Sequence, residues 1–161
     1  MTDRLAALAA MTNNDHPAAS DGLSQFYQEF ESEALVIDKW FSLQAVSHAT
    51  TAAGVRGLMQ HPAFTIKNPN RARSLLFAFC NNNPAQFHAT DGSGYALWAE
   101  QVIVLNEINP QVAARLARAL DRWRKYTPRL QASMKSALEK VAATKALSND
   151  VAEVIGKALA N

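Results

Sequence analysis

Histidine and cysteine are the side chains that most often bind catalytic metals or act as bases and nucleophiles, and the chain carries four of the first and one of the second. His16, His48, His61 and His88 form neither an HExxH motif nor, with Cys80, a zinc-finger spacing. We therefore expect each histidine to lie on the surface or to cap a turn. The apolar residues that precede Cys80 predict a buried small hydrophobic side chain rather than a nucleophile.

Other common catalytic patterns are also missing from the sequence. The run Asp91–Gly94 lacks both the GxGxxG spacing and a preceding strand, so it predicts a turn and a helix start rather than a phosphate-binding loop. No spacing favours a Ser-His-Asp triad or a pair of catalytic carboxylates. We expect this chain to be catalytically inactive by itself.

Three arginines are candidate binding residues. Arg71 and Arg73 lie two positions apart near the start of a predicted helix, so they point in different directions. Cations are electrostatically disfavoured at a helix N-terminus, and no carboxylate lies nearby in the sequence. The partner is therefore either an acidic side chain on another helix, which the physics favours, or a ligand. Arg115, on a later predicted helix, is considered with them.

A second basic segment, Arg122–Tyr126, mixes cations with aromatic rings in the manner of nucleic-acid surfaces. It also lies at a predicted helix end, where each cation gains ~0.3–1 kcal/mol from the carbonyl dipole. The net charge of +2 is too balanced to argue for nucleic acid. We favour the structural interpretation and expect no nucleic-acid partner.

Helical periodicity runs through nearly the whole chain, and no segment predicts a strand convincingly. Capping residues separate the helices, several of them followed by proline at the first helical position. The predicted caps are Asp21, Asn68, Asn83, Asn109, Thr127 and Ser148, and Thr51 is predicted to begin a short helix. The prediction is an all-α fold of about 8–10 helices, stacked as antiparallel pairs in an irregular HEAT- or armadillo-like superhelix. A compact helix bundle is the alternative.

Length and composition fit one globular domain over residues 1–161, with 48% apolar and 19% charged residues. A chain of this length can bury a sizeable core without a metal or a disulfide. No window reaches the ~18 apolar residues of a membrane span, and the N-terminal segment lacks the features of a signal peptide. We expect no membrane partner. The single cysteine fits the reducing cytoplasm.

Two blocks of the sequence carry a family resemblance. The segment FTIKNPNRARSLLFAFCNNNPAQFHATDGSGY, at residues 64–95, resembles the C-terminal helical domain of bacterial aminopeptidase N, an alanyl aminopeptidase of the zinc-dependent gluzincin class. The segments WFSLQA at 40–45 and NPQVAARLARAL at 109–120 are also similar to that domain. The resemblance extends from about Leu5 to the end of the chain.

The resemblance implies that this chain is an excised domain or a fragment of a longer enzyme. The zinc-binding HExxH helix and the substrate-binding GAMEN motif of the family are missing from it. No cofactor is therefore expected in this chain, and zinc is expected in the parent enzyme. In the family, the helical domain closes over the catalytic domain, encloses a large cavity and restricts which peptides enter. The implied partners are the catalytic domain and peptide substrates.

The family also places arginines of this domain on the cavity wall, near the C-terminal side of the substrate. By motif position the resemblance assigns that place to Arg73 and Arg115, and after them to Arg71. The competing interpretation is a freestanding helical-repeat module that binds a protein along one face. An apolar surface patch of more than a few hundred Å² would favour a domain that docks on a neighbour.

Overall fold

Capped turns divide the chain into short helices in the computed structural model, which describes residues 1–160. The α-helices are α1 (Thr2–Asn13), α2 (Ala19–Phe30), α3 (Ala34–Ala45), α4 (Ala52–Met59), α5 (Pro69–Ala72), α6 (Ala78–Asn82), α7 (Pro84–Phe87), α8 (Ser93–Ile108), α9 (Pro110–Ala117), α10 (Pro128–Ala142) and α11 (Asn149–Ala160). A π-helical turn, Arg73–Phe77, joins α5 to α6. Short 3₁₀ turns occupy Arg118–Leu120 and Trp123–Lys125.

The predicted all-α class is confirmed, because residues 1–160 contain no strand. The π-helical turn makes α5 and α6 one uninterrupted helix from 69 to 82. Counting α5 and α6 together reduces the eleven α-helical segments of the described chain to ten, the upper end of the predicted range.

Most of the predicted caps are confirmed. The side chains of Asn68 and Asn109 accept hydrogen bonds from backbone amides in the first turns of α5 and α9. Thr51, which was expected to begin a helix, caps α4 in the same way. Ser148 does the same for α11, with its Oγ 3.2 Å from the Val151 nitrogen. Each of these bonds satisfies an amide that has no partner within its own helix.

Two predicted caps need correction. Asp21 is not the cap of α2, because that helix begins earlier, at Ala19. The turn at His16 starts it: the His16 Nδ1 accepts a hydrogen bond from the Ala18 amide, and the His16 carbonyl accepts one from Ala19. Asp21 instead lies in the first turn, where its negative charge interacts favourably with the positive end of the helix dipole. Thr127 occupies the cap position of α10, but its side chain accepts no capping hydrogen bond.

The residues fall into two compact units, Met1–Gln86 and the described residues from Phe87 onward. In unit 1, helix α3 lies at the centre and packs against α1, α2 and the π-helical turn. In unit 2, α8 packs against α9 and α10, and α11 packs against the same two helices. The prediction of a single domain over residues 1–161 stays a prediction.

Each of the three tryptophans joins its helix to a distant main-chain carbonyl through the indole N–H. In unit 1, Trp40 donates to the Leu23 carbonyl at 2.9 Å. In unit 2, Trp98 donates to the Leu116 carbonyl at 2.8 Å, and Trp123 donates to the Ala158 carbonyl at 2.9 Å. All three rings are buried, so these bonds fix helix positions inside the cores.

Asn83 ties the end of the 69–82 helix to the segment that follows α3. Its side chain is 1% exposed, and the Nδ2 atom lies 2.9 Å from the Ala45 carbonyl, 2.8 Å from the Ser47 carbonyl and 3.3 Å from the Thr50 carbonyl. Its Oδ1 accepts a hydrogen bond from the Gln86 amide at 3.3 Å, which confirms the predicted cap of α7.

We expect Asn83→Ala to lower the free energy of unfolding of unit 1 by about 2–3 kcal/mol, because buried carbonyls then lose their donor. Asn83→Asp keeps the Oδ1 acceptor but turns a carboxylate towards the same carbonyls, so it should destabilise at least as much. Urea denaturation of both variants measures this. An Asn83→Asp protein as stable as the wild type would show that the Oδ1 cap of α7, and not the Nδ2 donor, stabilises unit 1.

Candidate functional site

Arg71 is held by a buried ion pair within unit 1. Its Nε donates to the Asp38 Oδ1 at 2.6 Å, and its terminal nitrogens donate to the carbonyls of Ala63 and Ala34. The guanidinium also lies over the Phe41 ring, 5.4 Å from the centroid. The predicted partner on another helix is thereby confirmed, since Asp38 belongs to α3. These contacts give the Arg71 guanidinium a structural role. Its place on a substrate surface stays a prediction.

Arg73 differs from Arg71 in its exposure, its side-chain contacts and its backbone geometry. It is exposed, and it forms no ion pair or hydrogen bond through its side chain with residues 1–160. It is the first residue of the π-helical turn, a local geometry that often marks functional positions. Sequence reasoning identified the residue but not the π-helical turn, which follows no simple sequence rule.

Arg115 lies in a groove of unit 2 between α9 and α11, with a volume of about 730 Å³. Six charged side chains line the groove: Arg115, Arg118, Asp121, Asp150, Glu153 and Lys157. Gln111, Ala114, Val154 and Ala158 complete its walls. Only Arg115 was identified from the sequence. The acidic and basic residues of α11, at spacings of three and four, were a signal for one charged helix face.

Most charges in the groove act on one another. The Lys157 Nζ lies 2.5 Å from the Glu153 Oε1, and this contact lowers the pKa of Glu153. Burial raises the pKa of Asp121, and the nearby Arg118 opposes that shift. Arg118 also acts weakly on Glu153. Lys157 and Glu153 are the ion pair of the groove, and no ion pair joins Arg115, Arg118, Asp121 or Asp150 to another residue of the described chain.

The Arg122–Tyr126 segment has a structural role at the end of α11. Arg124 donates to the carbonyls of Ala158 at 2.7 Å and Leu159 at 3.0 Å, and it stacks on the Trp123 ring at 4.1 Å. Arg124 thus binds a helix C-terminus, but the carbonyls belong to α11 and not, as predicted, to the helix before Arg122.

A metal site is not found in the described part of the chain. No three His, Cys, Asp or Glu residues within 1–160 are placed to hold an ion. Cys80 is buried, as predicted, and burial raises the pKa of its thiol far above the usual range, which disfavours a thiolate ligand or nucleophile. Zinc therefore does not fit these residues. None of the described helices is both long and apolar enough to span a bilayer.

Comparison with known proteins identifies the family. The family model described as a domain of unknown function (DUF3458_C) with ARM repeats matches residues 1–160. The chain belongs to this DUF3458_C family. Its ARM repeats confirm the predicted helical-repeat class and favour it over a compact bundle.

Three proteins that are similar to this DUF3458_C domain over part of their own length are aminopeptidases. The chain is 47% identical to the aminopeptidase N of Escherichia coli over 161 residues, and 43% identical to that of Haemophilus influenzae over 160 residues. Each match covers 99% of this chain and 18% of the relative. The crystal structure of Legionella pneumophila aminopeptidase A in complex with aspartic acid superimposes with a TM-score of 0.94 at 33% identity, covering 99% of this chain and 19% of that one.

The comparisons confirm the resemblance to the C-terminal domain of aminopeptidase N. The DUF3458_C chain spans about a fifth of the length of these relatives.

Two histidines of the DUF3458_C domain pack against aromatic rings. The His61 Nδ1 accepts a hydrogen bond from the Ala63 amide, as expected for a turn cap, and its ring centroid lies 4.5 Å from that of Tyr27. Burial, and secondarily the charge of Arg71, lowers the pKa of His61. The His88 Nδ1 lies 2.7 Å from the Tyr95 hydroxyl, and burial lowers the pKa of His88.

These pKa shifts predict that acid destabilises the domain. Below the unfolded-state pKa of about 6.5, the histidines of the unfolded chain bind protons, whereas His61 and His88 in the folded chain stay neutral to lower pH. The free energy of unfolding therefore falls as the pH drops, until the folded-state pKa is reached. We expect His61→Asn to reduce the loss of stability between pH 7.5 and pH 5, measured by urea denaturation. His48→Asn, at an exposed position, is the matched control. A slope unchanged by His61→Asn would contradict this assignment.

Proposed function

We propose that this chain is the C-terminal domain of a zinc-dependent aminopeptidase, an enzyme that removes N-terminal amino acids from peptides. The observation that carries the proposal is the match of 99% of the chain to a part of each aminopeptidase relative. The zinc and the catalytic groups would come from the rest of that enzyme, and within residues 1–160 no three His, Cys, Asp or Glu side chains are placed to hold a metal ion. Its cytoplasmic location stays a prediction.

The domain would act by enclosing the active-site cavity and restricting which peptides enter. Arg73 and Arg115 would face the substrate, because their exposed guanidinium groups are free to bind a peptide carboxylate or carbonyl with two hydrogen bonds. Arg71 would support this surface indirectly, since its ion pair with Asp38 anchors the helix that carries Arg73. Positioning of the peptide is the contribution of this domain to the reaction.

Reconstitution tests the proposal. This chain is mixed with a fragment of the same enzyme that contains the catalytic domain and ends before it. Co-elution and hydrolysis of an alanyl anilide are then followed. We expect a stable complex with restored hydrolysis. A folded catalytic fragment that neither associates nor gains activity would overturn the proposal and favour a freestanding scaffold.

Arg73→Ala tests the substrate contact in the whole enzyme. A lost charge-assisted hydrogen bond should raise KM for peptides of several residues by about tenfold, and should change KM for a single-residue chromogenic substrate much less. Arg129→Ala, which removes an exposed arginine of α10, should leave both values unchanged. Equal effects of Arg73→Ala on the two substrates would argue against contact with the peptide.

Exposed apolar side chains allow the domain role to be tested against the alternative of a freestanding scaffold. Val104 and Ile108 are 40% and 39% exposed one turn apart on α8, and Leu35 is 72% exposed at the start of α3. A neighbouring domain of the same enzyme would cover such positions. In the reconstituted complex, protection of Val104 and Ile108 from solvent would support the domain role, and continued exposure would favour a different protein partner.

A further inference from the structure

The sequence His-Pro-Ala occurs twice in unit 1, beginning at His16 and at His61, and both copies form the same hydrogen bond. The His16 Nδ1 accepts from the Ala18 amide at 3.1 Å, and the His61 Nδ1 accepts from the Ala63 amide at 3.1 Å. Because the donor is a backbone N–H, each Nδ1 must be unprotonated for the bond to form. A proton on Nδ1 would place one N–H against another and break the bond.

The two imidazoles differ in their surroundings. His16 is exposed. The His61 ring lies among aromatic rings of α2 and α3, and its centroid is 4.5 Å from that of Tyr27, 5.0 Å from that of Trp40 and 5.8 Å from that of Phe41. These rings restrict the rotation of the His61 ring and so hold its Nδ1 in the turn.

The turn at His61 is also linked to the buried ion pair of unit 1. The Ala63 carbonyl accepts a hydrogen bond from the Arg71 Nη1, and the Arg71 Nε donates to the Asp38 Oδ1 at 2.6 Å. Ala63 therefore connects the imidazole to the guanidinium, because its amide is bonded to the first and its carbonyl to the second. The turn at His16 begins α2 instead.

Protonation of His61 is opposed by the groups that pack around it. From α2 the facing titratable group is the Tyr27 phenol, and from α5 the facing charge is the Arg71 guanidinium. Asp38, on α3, is bound to that guanidinium. Burial, and after it the charge of Arg71, lowers the pKa of His61. A proton that does bind there costs the Ala63 hydrogen bond and adds a second positive charge near Arg71.

We propose that the turn at His61 is a proton-sensitive latch on the helix that carries Arg71 and Arg73. Protonation of the imidazole releases the Ala63 amide, and the freed Ala63 carbonyl no longer holds the Arg71 guanidinium in place. The ion pair of Arg71 remains, so the start of this helix loosens without unfolding. The latch is a property of this chain and does not depend on the aminopeptidase role. Within that role it would make the placement of Arg73 depend on pH.

An NMR titration of the full chain from pH 7.5 to pH 5 tests the latch. We expect the Ala63 amide and the Arg71 Nε–H signals to shift with one midpoint, that of the His61 imidazole. Protection of the Ala63 amide from hydrogen exchange, corrected for the intrinsic rate, should fall about three- to tenfold across that midpoint, as for one lost hydrogen bond. A His61 imidazole that stays neutral down to pH 5, or an Arg71 signal that its protonation does not move, would overturn the proposal.

His61→Asn removes the proton site but keeps an acceptor in the turn, because an asparagine side chain accepts a hydrogen bond from the amide two residues on. The pH-dependent shift of the Arg71 Nε–H should disappear in this variant. His16→Asn makes the same replacement in the other His-Pro-Ala turn, and it should leave the titrations of Ala63 and Arg71 unchanged. Thermal melting at pH 7.5 shows that both variants are folded. An Arg71 titration that survives in His61→Asn would count against the latch.

The result is separable from that of the proposed function, because the titration uses this chain alone. A common midpoint for His61, Ala63 and Arg71, with no association to a catalytic fragment, would keep the latch and remove the aminopeptidase role. An active reconstituted enzyme without the common midpoint would do the reverse.

Discussion

Gly94→Ala is expected to destabilise unit 2 by about 3 kcal/mol or more, at the upper end of the cost of overpacking. A Cβ at this position would lie 2.0 Å from the carbonyl oxygen of Phe87 and 2.7 Å from its carbonyl carbon. These are main-chain atoms, so a side-chain rotation cannot relieve the clash. The Phe87 ring is fully buried, which prevents its backbone from moving away at low cost.

Gly156→Ala is the matched control for Gly94→Ala, because both glycines are in helices of the same unit. A Cβ at Gly156 would meet nothing within 4 Å. Alanine should therefore stabilise α11 by about 0.5–1 kcal/mol through its helix propensity. Chemical denaturation followed by circular dichroism measures both changes. A Gly94→Ala protein as stable as the wild type would show that α8 can shift away from Phe87.

Arg71→Ala is expected to lower the free energy of unfolding of unit 1 by about 3–5 kcal/mol, because it leaves a charged partner buried and unpaired. The Arg71 and Asp38 side chains are 8% and 15% exposed, so water compensates little for the lost contact. The Ala63 and Ala34 carbonyls lose their guanidinium donor as well. Denaturation of the variant by urea gives the magnitude.

Two further variants separate the ion pair from other effects. Arg73→Ala, two residues away and exposed, should change stability by no more than about 0.5 kcal/mol. The double replacement Arg71→Met with Asp38→Leu should recover much of the loss, because an apolar pair needs no desolvation of charge. If Arg71→Ala and Arg73→Ala had similar small effects, the buried pair would not be a main support of unit 1.

The local features of the fold were the ones that sequence could predict. Asn68 and Asn109 cap their helices because a cap depends only on the residue and the following three amides. Cys80 is buried because its helix is apolar on that side. The prediction that Asp21 caps α2 is wrong because the turn at His16 starts this helix at Ala19. A cap at Asp21 would have placed the first helical residue at Gly22, three residues later.

The parts of the candidate site that depend on distant residues could not be predicted. The sequence indicated that Arg71 needs a carboxylate, but Asp38 lies 33 residues away and no local rule selects it. The groove charges come from α9, the 3₁₀ turn after it and α11, and only tertiary packing brings these elements together. Only the packed structure identifies which charged residues line this groove.

The hydrogen-bonded tryptophans give each unit its own fluorescent reporter. Trp40 is the one indole of unit 1, while Trp98 and Trp123 belong to unit 2. All three are buried, so their emission should be blue-shifted in the folded chain and move to longer wavelength on unfolding. A protein carrying Trp40→Phe would report unit 2 alone, and one carrying Trp98→Phe with Trp123→Phe would report unit 1 alone. Coincident or separate transitions in these two proteins would then reveal whether the repeats melt together or one unit at a time.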